Sequence, residues 1–229
     1  MKDLLVIVAH PDDESIWFGG ILKRLCNRFR LHILSVTHAG DGVRETEFAR
    51  ACGLLEAVPH MFDCRDGGNA KLPALGPKLD AFLTGNGLSN ESVACVITHS
   101  PAGEEHSHPQ HIQLHWQVAA WAGSRNMEFG FFASHPGISA LSPLFSREIS
   151  PRSILRADSK KSLLWDGFAF SRALWRYRSF EPLKVAVDAD FKRNLLAFYD
   201  AQSLRGYAAY FSPFEYLFTS NPTLIQILA

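Results

Sequence analysis

Residues 4–14 read LLVIVAHPDDE, and this stretch decides the fold. Leu4 to Ala9 is an uninterrupted apolar run, the pattern of a strand buried on both faces of a parallel sheet. His10-Pro11-Asp12-Asp13-Glu14 stops that run at once. A helix-like stretch follows, with apolar Ile16, Trp17, Ile21, Leu22 and Leu25. Acidic residues in a first helical turn suit the positive end of the helix dipole. A dinucleotide-binding domain needs G-x-G-x-x-G at this turn, so that backbone can approach a pyrophosphate. The turn here is HPDDES, and Gly19-Gly20 comes too late, inside the helix, which argues against a dinucleotide site.

Working outward, the same alternation recurs. A second strand fits Leu31–Thr37, followed by a turn at Gly40-Asp41-Gly42 and a helix through Phe48, Ala51, Cys52 and Leu55. A short strand around Met61-Phe62 ends in Arg65-Asp66-Gly67-Gly68, and a helix follows near Leu79–Leu83. Val93–Thr98 reads as another buried strand, leading through a polar loop into a helix with Ile112, His115, Val118 and Ala119. Strands alternating with helices predict βαβ units: an α/β, Rossmann-like, mostly parallel sheet flanked by helices. From about Ser134 the pattern loosens, and 134–182 is an irregular, unplaced segment. Leu183–Val187 then reads as a strand and Ala189–Ala201 as a helix. The aromatic-rich end (Tyr207, Tyr210, Phe211, Phe214, Tyr216, Phe218) reads as core or subunit interface. With no internal repeat, one domain over 1–229 with an elaborated C-terminal part is the economical reading.

Composition narrows the function. Hydrophobic residues make up 47% and charged residues 20% of the 229, as in ordinary globular proteins. Lys plus Arg (23) equals Asp plus Glu (23), which gives no electrostatic case for nucleic acid or an anionic membrane. Cys26, Cys52, Cys64 and Cys95 lie far apart beside apolar runs, which predicts buried free thiols in a reducing compartment. The short apolar start is no signal segment and no run reaches a membrane span, so a cytoplasmic, soluble protein is expected.

Functional groups of open α/β sheets lie beyond the carboxyl ends of the strands. Those positions hold His10, Asp12 and Asp13; His38, Asp41 and Arg44; Asp66; and Glu104-Glu105-His106-Ser107-His108-Pro109-Gln110-His111. Four strand ends would deliver ionisable groups to one edge. His10 and Asp13 can converge over their turn, and His111 completes two imidazoles and a carboxylate, the donor set of a catalytic zinc with a free fourth position.

VAHPDDE (8–14), THAGD (37–41) with Arg44 and Glu47, and GEEHSHPQH (103–111) together resemble the LmbE-like, or PIG-L, family of zinc-dependent N-deacetylases. VDADFKRNLLAFYDAQ (187–202), with Phe214-Glu215, resembles that family's closing strand-helix segment. The resemblance implies that His10, Asp13 and His111 bind zinc. It implies that Asp12 is the general base acting on a metal-bound water, and that His108 stabilises the oxyanion or protonates the leaving amine. Asp41, Arg44 and Asp66 match positions that contact the sugar in relatives. The expected partner is a small N-acetylated sugar or glycoconjugate, with a homo-oligomer open. Two departures stand out: the Thr37–Arg44 loop is short, and the family's H-P-D-H reads His108-Pro109-Gln110-His111. The amide at 110 is expected to orient the His108 ring.

The remaining candidates rank lower. His106, Glu104 and Glu105 are loop residues that either touch substrate or face solvent. His99 and His115 read as hydrogen-bonded structural histidines near the site, and His32, His60 and His135 have no partner that the sequence supplies. Trp17 reads as core, or as a platform for a sugar ring. Other readings of the same residues are a hydration reaction at the metal, or a non-catalytic carbohydrate-binding protein.

Overall fold

Strand β1 (Asp3–Val8) is buried at every residue, and the rest of the sheet is built around it. In the computed structural model, which describes residues 1–67, 70–101, 104, 108–133, 180–199 and 214–229, β1 pairs in parallel with β2 (Arg30–Thr37) and β4 (Val93–Thr98). Strands β3 (Ala57–Cys64) and β5 (Phe129–Ala133) extend the parallel block on either side. Two antiparallel strands close the far side, β6 (Glu181–Ala186) and β7 (Phe214–Thr219), giving a seven-stranded order β3-β2-β1-β4-β5-β7-β6.

The continuous apolar run of β1 follows from this central position. Leu5, Ile7 and Ala9 pack with Leu79 and Phe82 of α4 (Gly76–Gly85) and Leu114 and Val118 of α5 (Pro109–Ser124). Leu4, Val6 and Val8 pack on the other face with Ile21, Leu22 and Leu25 of α2 (Gly19–Leu25) and with Phe48 and Ala51 of α3 (Gly42–Leu54). Full burial of such a side chain stabilises by about 1.5–3 kcal/mol relative to exposure. Val6 aligns with Ile33 of β2 and Ile97 of β4, so the carboxyl ends of the three central strands emerge together. There α1 (Asp13–Trp17) starts.

The C-terminal elements brace that corner. Glu215 of β7 accepts from the backbone N–H groups of Gly20 (3.1 Å) and Ile21 (2.8 Å), and Lys192 of α6 (Ala189–Leu196) donates to the same carboxylate at 2.5 Å. The closeness requires Gly19-Gly20: a Cβ on Gly19 would meet Leu195 Cδ2 at 2.5 Å, and one on Gly20 would meet Val187 Cγ1 at 2.7 Å. A last helix, α7 (Pro222–Leu228), is capped by Asn221, whose side chain accepts from Leu224 N.

The parallel core agrees with the sequence reading, and differences arise at the margins. β3 is eight residues long rather than a stub at Met61-Phe62, because it is an edge strand whose half-exposed residues include Pro59 and His60 and so carry no clean alternation. Strand β5 had no counterpart in the sequence reading. It is apolar throughout and holds Gly130, where a Cβ would meet Phe218 O at 3.1 Å. Phe214, Tyr216 and Phe218 are core, as one reading had it, but they sit on a strand inserted between β5 and β6. Helix α6 ends at Leu196, short of Ala201. Most of the unplaced 134–182 segment, His106, Glu105, His135, Tyr207, Tyr210 and Phe211 lie outside the described residues. All four cysteines are free and buried, and no described helix is long and apolar enough to cross a membrane.

Candidate metal and catalytic site

His10 leaves the end of β1, Asp13 opens α1, and His111 lies in the first turn of α5 behind Pro109. Their nearest atoms form a small triangle: His10 Nδ1 to Asp13 Oδ2 3.3 Å, His10 Nδ1 to His111 Nε2 3.2 Å, and His111 Nε2 to Asp13 Oδ2 3.4 Å. Hydrogen bonds elsewhere decide where the protons are. His10 Nε2 faces Gln110 Oε1 at 2.9 Å and Asp66 Oδ1 at 3.2 Å, both acceptors, so it carries a hydrogen, and Nδ1 is the atom turned toward Asp13 and His111. His111 Nδ1 faces Glu104 Oε2 at 2.5 Å, which leaves Nε2 bare. Two ring nitrogens and a carboxylate oxygen thus converge, and Asp13 Oδ2 also accepts the His10 backbone N–H at 2.8 Å. Burial pulls the His10 pKa down, but Asp13 and Asp66 raise it well above its ordinary value, so without a cation His10 and Asp13 pair as ions. Ligands bonded at about 2.0–2.2 Å at tetrahedral angles stand about 3.3–3.6 Å apart, so the triangle fits a tetrahedral dication.

Two neighbouring donor sets adjoin the triangle. A ring nitrogen of His108 comes within 4.8 Å of the His10 and His111 donors, so His108 could join them as a third donor. His99 Nε2 is 3.2 Å from Asp13 Oδ2 but accepts the Ala9 N–H at 2.9 Å, which commits its lone pair to the backbone. Burial pushes the His99 pKa down, yet the Glu104 and Asp13 carboxylates outweigh it and hold it at about 9. Charge therefore favours a cationic ring and the Ala9 hydrogen bond a neutral one.

Glu104 is neither a substrate contact nor a solvated loop residue. It is 8% exposed and sits behind the imidazoles, accepting from Ser100 N (2.8 Å) and facing His99 Nδ1 (3.1 Å) as well as His111. Burial raises its pKa, but His99 and His111 overcome this and bring it to about 2. A carboxylate on the far nitrogen of a ligating histidine fixes its tautomer and raises its basicity. His115 Nδ1 donates to the His99 carbonyl at 2.6 Å from beneath.

Asp12 is buried and has φ 132°, a conformation that costs a non-glycine residue on the order of 1–3 kcal/mol. Glu14 holds it there: Oε2 accepts from Asp12 N at 3.1 Å, while Oε1 accepts from the Ser15 hydroxyl and, at 2.6 Å, from Tyr199 OH. Burial first, then the adjacent Asp13 carboxylate, raise the Asp12 pKa well above the usual range. His108 immediately precedes α5 and meets the His10 ring edge-on at 5.0 Å. Burial, with His111 and His10, holds His108 at about 4. Gln110 does not orient this ring, contrary to expectation; its amide turns to His10 and to the Arg65 carbonyl.

Of the expected substrate residues, only Asp66 contacts a member of the triangle. Asp66 bridges His10 and His38, with Oδ2 3.1 Å from His38 Nε2. Asp41 caps α3 by accepting from Val43 N and Arg44 N. Arg44 exerts its charge on Asp12 and His38, and its buried Nε has no hydrogen-bond partner among the described residues. Trp17 is buried, and its Nε1 donates to Asp13 Oδ1 at 3.2 Å, so it supports a donor of the triangle.

A family model, PIG-L: GlcNAc-PI de-N-acetylase, matches residues 5–122, from β1 through most of α5. A search of curated proteins finds no match. Among solved structures, the A40926 pseudoaglycone deacetylase Dbv21 superposes with a TM-score of 0.59 at 14% identity, covering 95% of this chain and 96% of the other. The conserved protein TT1542 from Thermus thermophilus superposes with a TM-score of 0.55 at 22% identity, covering 92% and 85%. A deacetylase in the biosynthesis pathway of teicoplanin gives a TM-score of 0.53 at 13% identity, covering 94% and 96%. These likenesses share the fold, and the matched span includes His10, Asp13 and His111. The chain belongs to the PIG-L family.

Proposed function

We propose that the protein is a zinc-dependent hydrolase that removes the N-acetyl group from an amino sugar or a sugar-containing conjugate. The observation that carries this reading is the triangle of two ring nitrogens and a carboxylate oxygen at 3.2–3.4 Å, with the other nitrogen of each imidazole directed outward to a fixed acceptor. The family description names de-N-acetylation, and two of the similar structures are of deacetylases. His10, Asp13 and His111 would hold the metal. When bound, the metal supplies a Lewis acid that lowers the pKa of water and polarises an acyl carbonyl.

This chain's own residues do the rest. Asp12 takes the proton from the attacking water, held beside the site by Glu14. The His108 ring, near the donors but outside their triangle, hydrogen-bonds the acyl oxygen as it gains charge or returns a proton to the departing nitrogen. One well-placed donor of this kind is worth about 3–4 kcal/mol of barrier. Arg44 and Asp41, at the rim, hold sugar hydroxyls or a phosphate. Asp66 reaches the rim too, but its first engagement is with His10. Acetate release from a panel of N-acetylated sugars and glycoconjugates tests the reading. Release from at least one, lost in Asp12→Ala, is expected; a zinc-loaded protein that releases acetate from none overturns it.

A further inference from the structure

Gln110 stands between His108 and His111 in the first turn of α5 and is completely buried. Its Nε2 donates to the Arg65 carbonyl at 3.0 Å, and its Oε1 lies 2.9 Å from His10 Nε2. Only one orientation of the amide satisfies both contacts. A main-chain carbonyl can only accept, so the amide nitrogen must face Arg65 and the oxygen must face His10. That in turn places a hydrogen of the His10 ring on Nε2 and turns Nδ1 toward Asp13 and His111, where it is free to bind a metal once it has no hydrogen. Asp66 Oδ1, at 3.2 Å, shares the same N–H, but the Asp66 carboxylate is itself divided between His10 and His38.

We infer that Gln110 is a positioning residue that sets the tautomer and orientation of His10, and that it does so by using both ends of its amide. The donor end anchors the side chain to the loop after β3; the acceptor end aims the ring. The inference rests on the proposed metal site. An aspartate is too short to span both contacts, and any carboxylate would set two acceptors against each other at Arg65. The residue type therefore follows from the Arg65 carbonyl as well as from His10.

The test measures zinc affinity by competition with a chromophoric chelator on the purified full chain, alongside the visible spectrum of the cobalt-substituted protein. Gln110→Met should weaken zinc binding by about 10–100-fold, the usual effect of removing a ligand's outer hydrogen-bond partner, and should alter the cobalt spectrum. Gln110→Glu keeps an acceptor toward His10 and should recover part of the loss. Gln113→Met is the matched control: Gln113 sits one turn on, accepting from Leu72 N at 2.9 Å, and its loss should leave both readouts alone. Unchanged affinity in Gln110→Met, or an equal loss in Gln113→Met, overturns the inference. Failure of the wild type to bind zinc instead overturns the metal site beneath it. Should Gln110→Met not fold, 15N spectra of the wild-type histidines decide: His10 must be protonated at Nε2, and an Nδ1–H tautomer overturns the assignment.

Discussion

Histidines and carboxylates cluster at both ends of the central strands, and the two clusters obey opposite rules. At the carboxyl end, His10, Asp13 and His111 point one ring nitrogen, a carboxylate oxygen and another ring nitrogen at one another, and the far nitrogens of the two imidazoles face Gln110, Asp66 and Glu104. At the amino end, His32 Nδ1 meets His60 Nε2 at 3.1 Å, His32 Nε2 lies 3.3 Å from Asp3, and Arg30 donates to Asp3 at 2.5 Å. The second cluster holds one ring-to-ring hydrogen bond and the Arg30–Asp3 pair, and His32 Nε2 lies near Asp3 without a hydrogen bond among the described residues. What separates the candidate metal site from the second cluster is that two imidazoles and a carboxylate converge at one point, and residue composition does not reveal it.

The comparison breaks most easily on metal content. Asp13→Ala or His111→Ala should drop zinc from about one per chain to almost none, whereas His32→Ala and His60→Ala should leave it unchanged by elemental analysis. Zinc retained after His10 and His111 are both replaced would dissolve the distinction. A second, somewhat smaller effect belongs to Asp12. Asp12→Ala should keep the metal and lose about 10²–10⁴-fold in kcat, as expected for a proton-transfer group; zinc lost along with activity would make Asp12 a ligand instead.

Arg44 sharpens the contrast at a smaller scale. Arg44→Ala should raise KM or lower kcat/KM on the best substrate with normal zinc content, because a guanidinium fork binds hydroxyl pairs or phosphate rather than the ion. Wild-type kinetics in that variant would make the residue structural. The smallest effect is on stability. Burial, then the charge of His32, bring the His60 pKa to about 4, below its ordinary 6.5, so the unfolded chain takes up the proton first. The contribution of neutral His60 is present above about pH 6.5 and is lost as pH falls toward 4. Denaturant titrations should show a shallower acid-side decline in His60→Phe than in wild type. An identical slope would mean that the pair does not resist protonation.

The parallel core was legible because β1, β2 and β4 are buried on both faces and write that as unbroken apolar runs. The three donors were legible because each stands at a strand end or at the first turn of the next helix. Their outward partners were not. Glu104 reads as one of two loop glutamates, and only the folded loop shows that it faces inward. Tyr199 reaches Glu14 across 185 residues, a contact that no local pattern encodes. The partnership of His32 and His60 depends on the β2–β3 register, in which His32 aligns with Val58 and Leu34 with His60. Gln110 was visible as a departure, but its partner needed the Arg65 carbonyl to be placed. Strands β5 and β7 hid behind Gly130 and an aromatic run that reads equally well as packing.

The anchorage of the first corner by the last strand has a consequence for the growing chain. Gly20 and Ile21 find their acceptor in Glu215, 195 and 194 positions later, and Glu14 finds Tyr199. The earliest-made functional turn is thus completed among the last, since contacts this distant in sequence bear the full entropy of loop closure. A nascent chain still lacking β7 can pair β1 with β2 and β4, yet its HPDDE turn has nothing to hold α2's leading N–H groups. The anchorage of this corner would therefore form only once Tyr199 and Glu215 have joined β1 and α2.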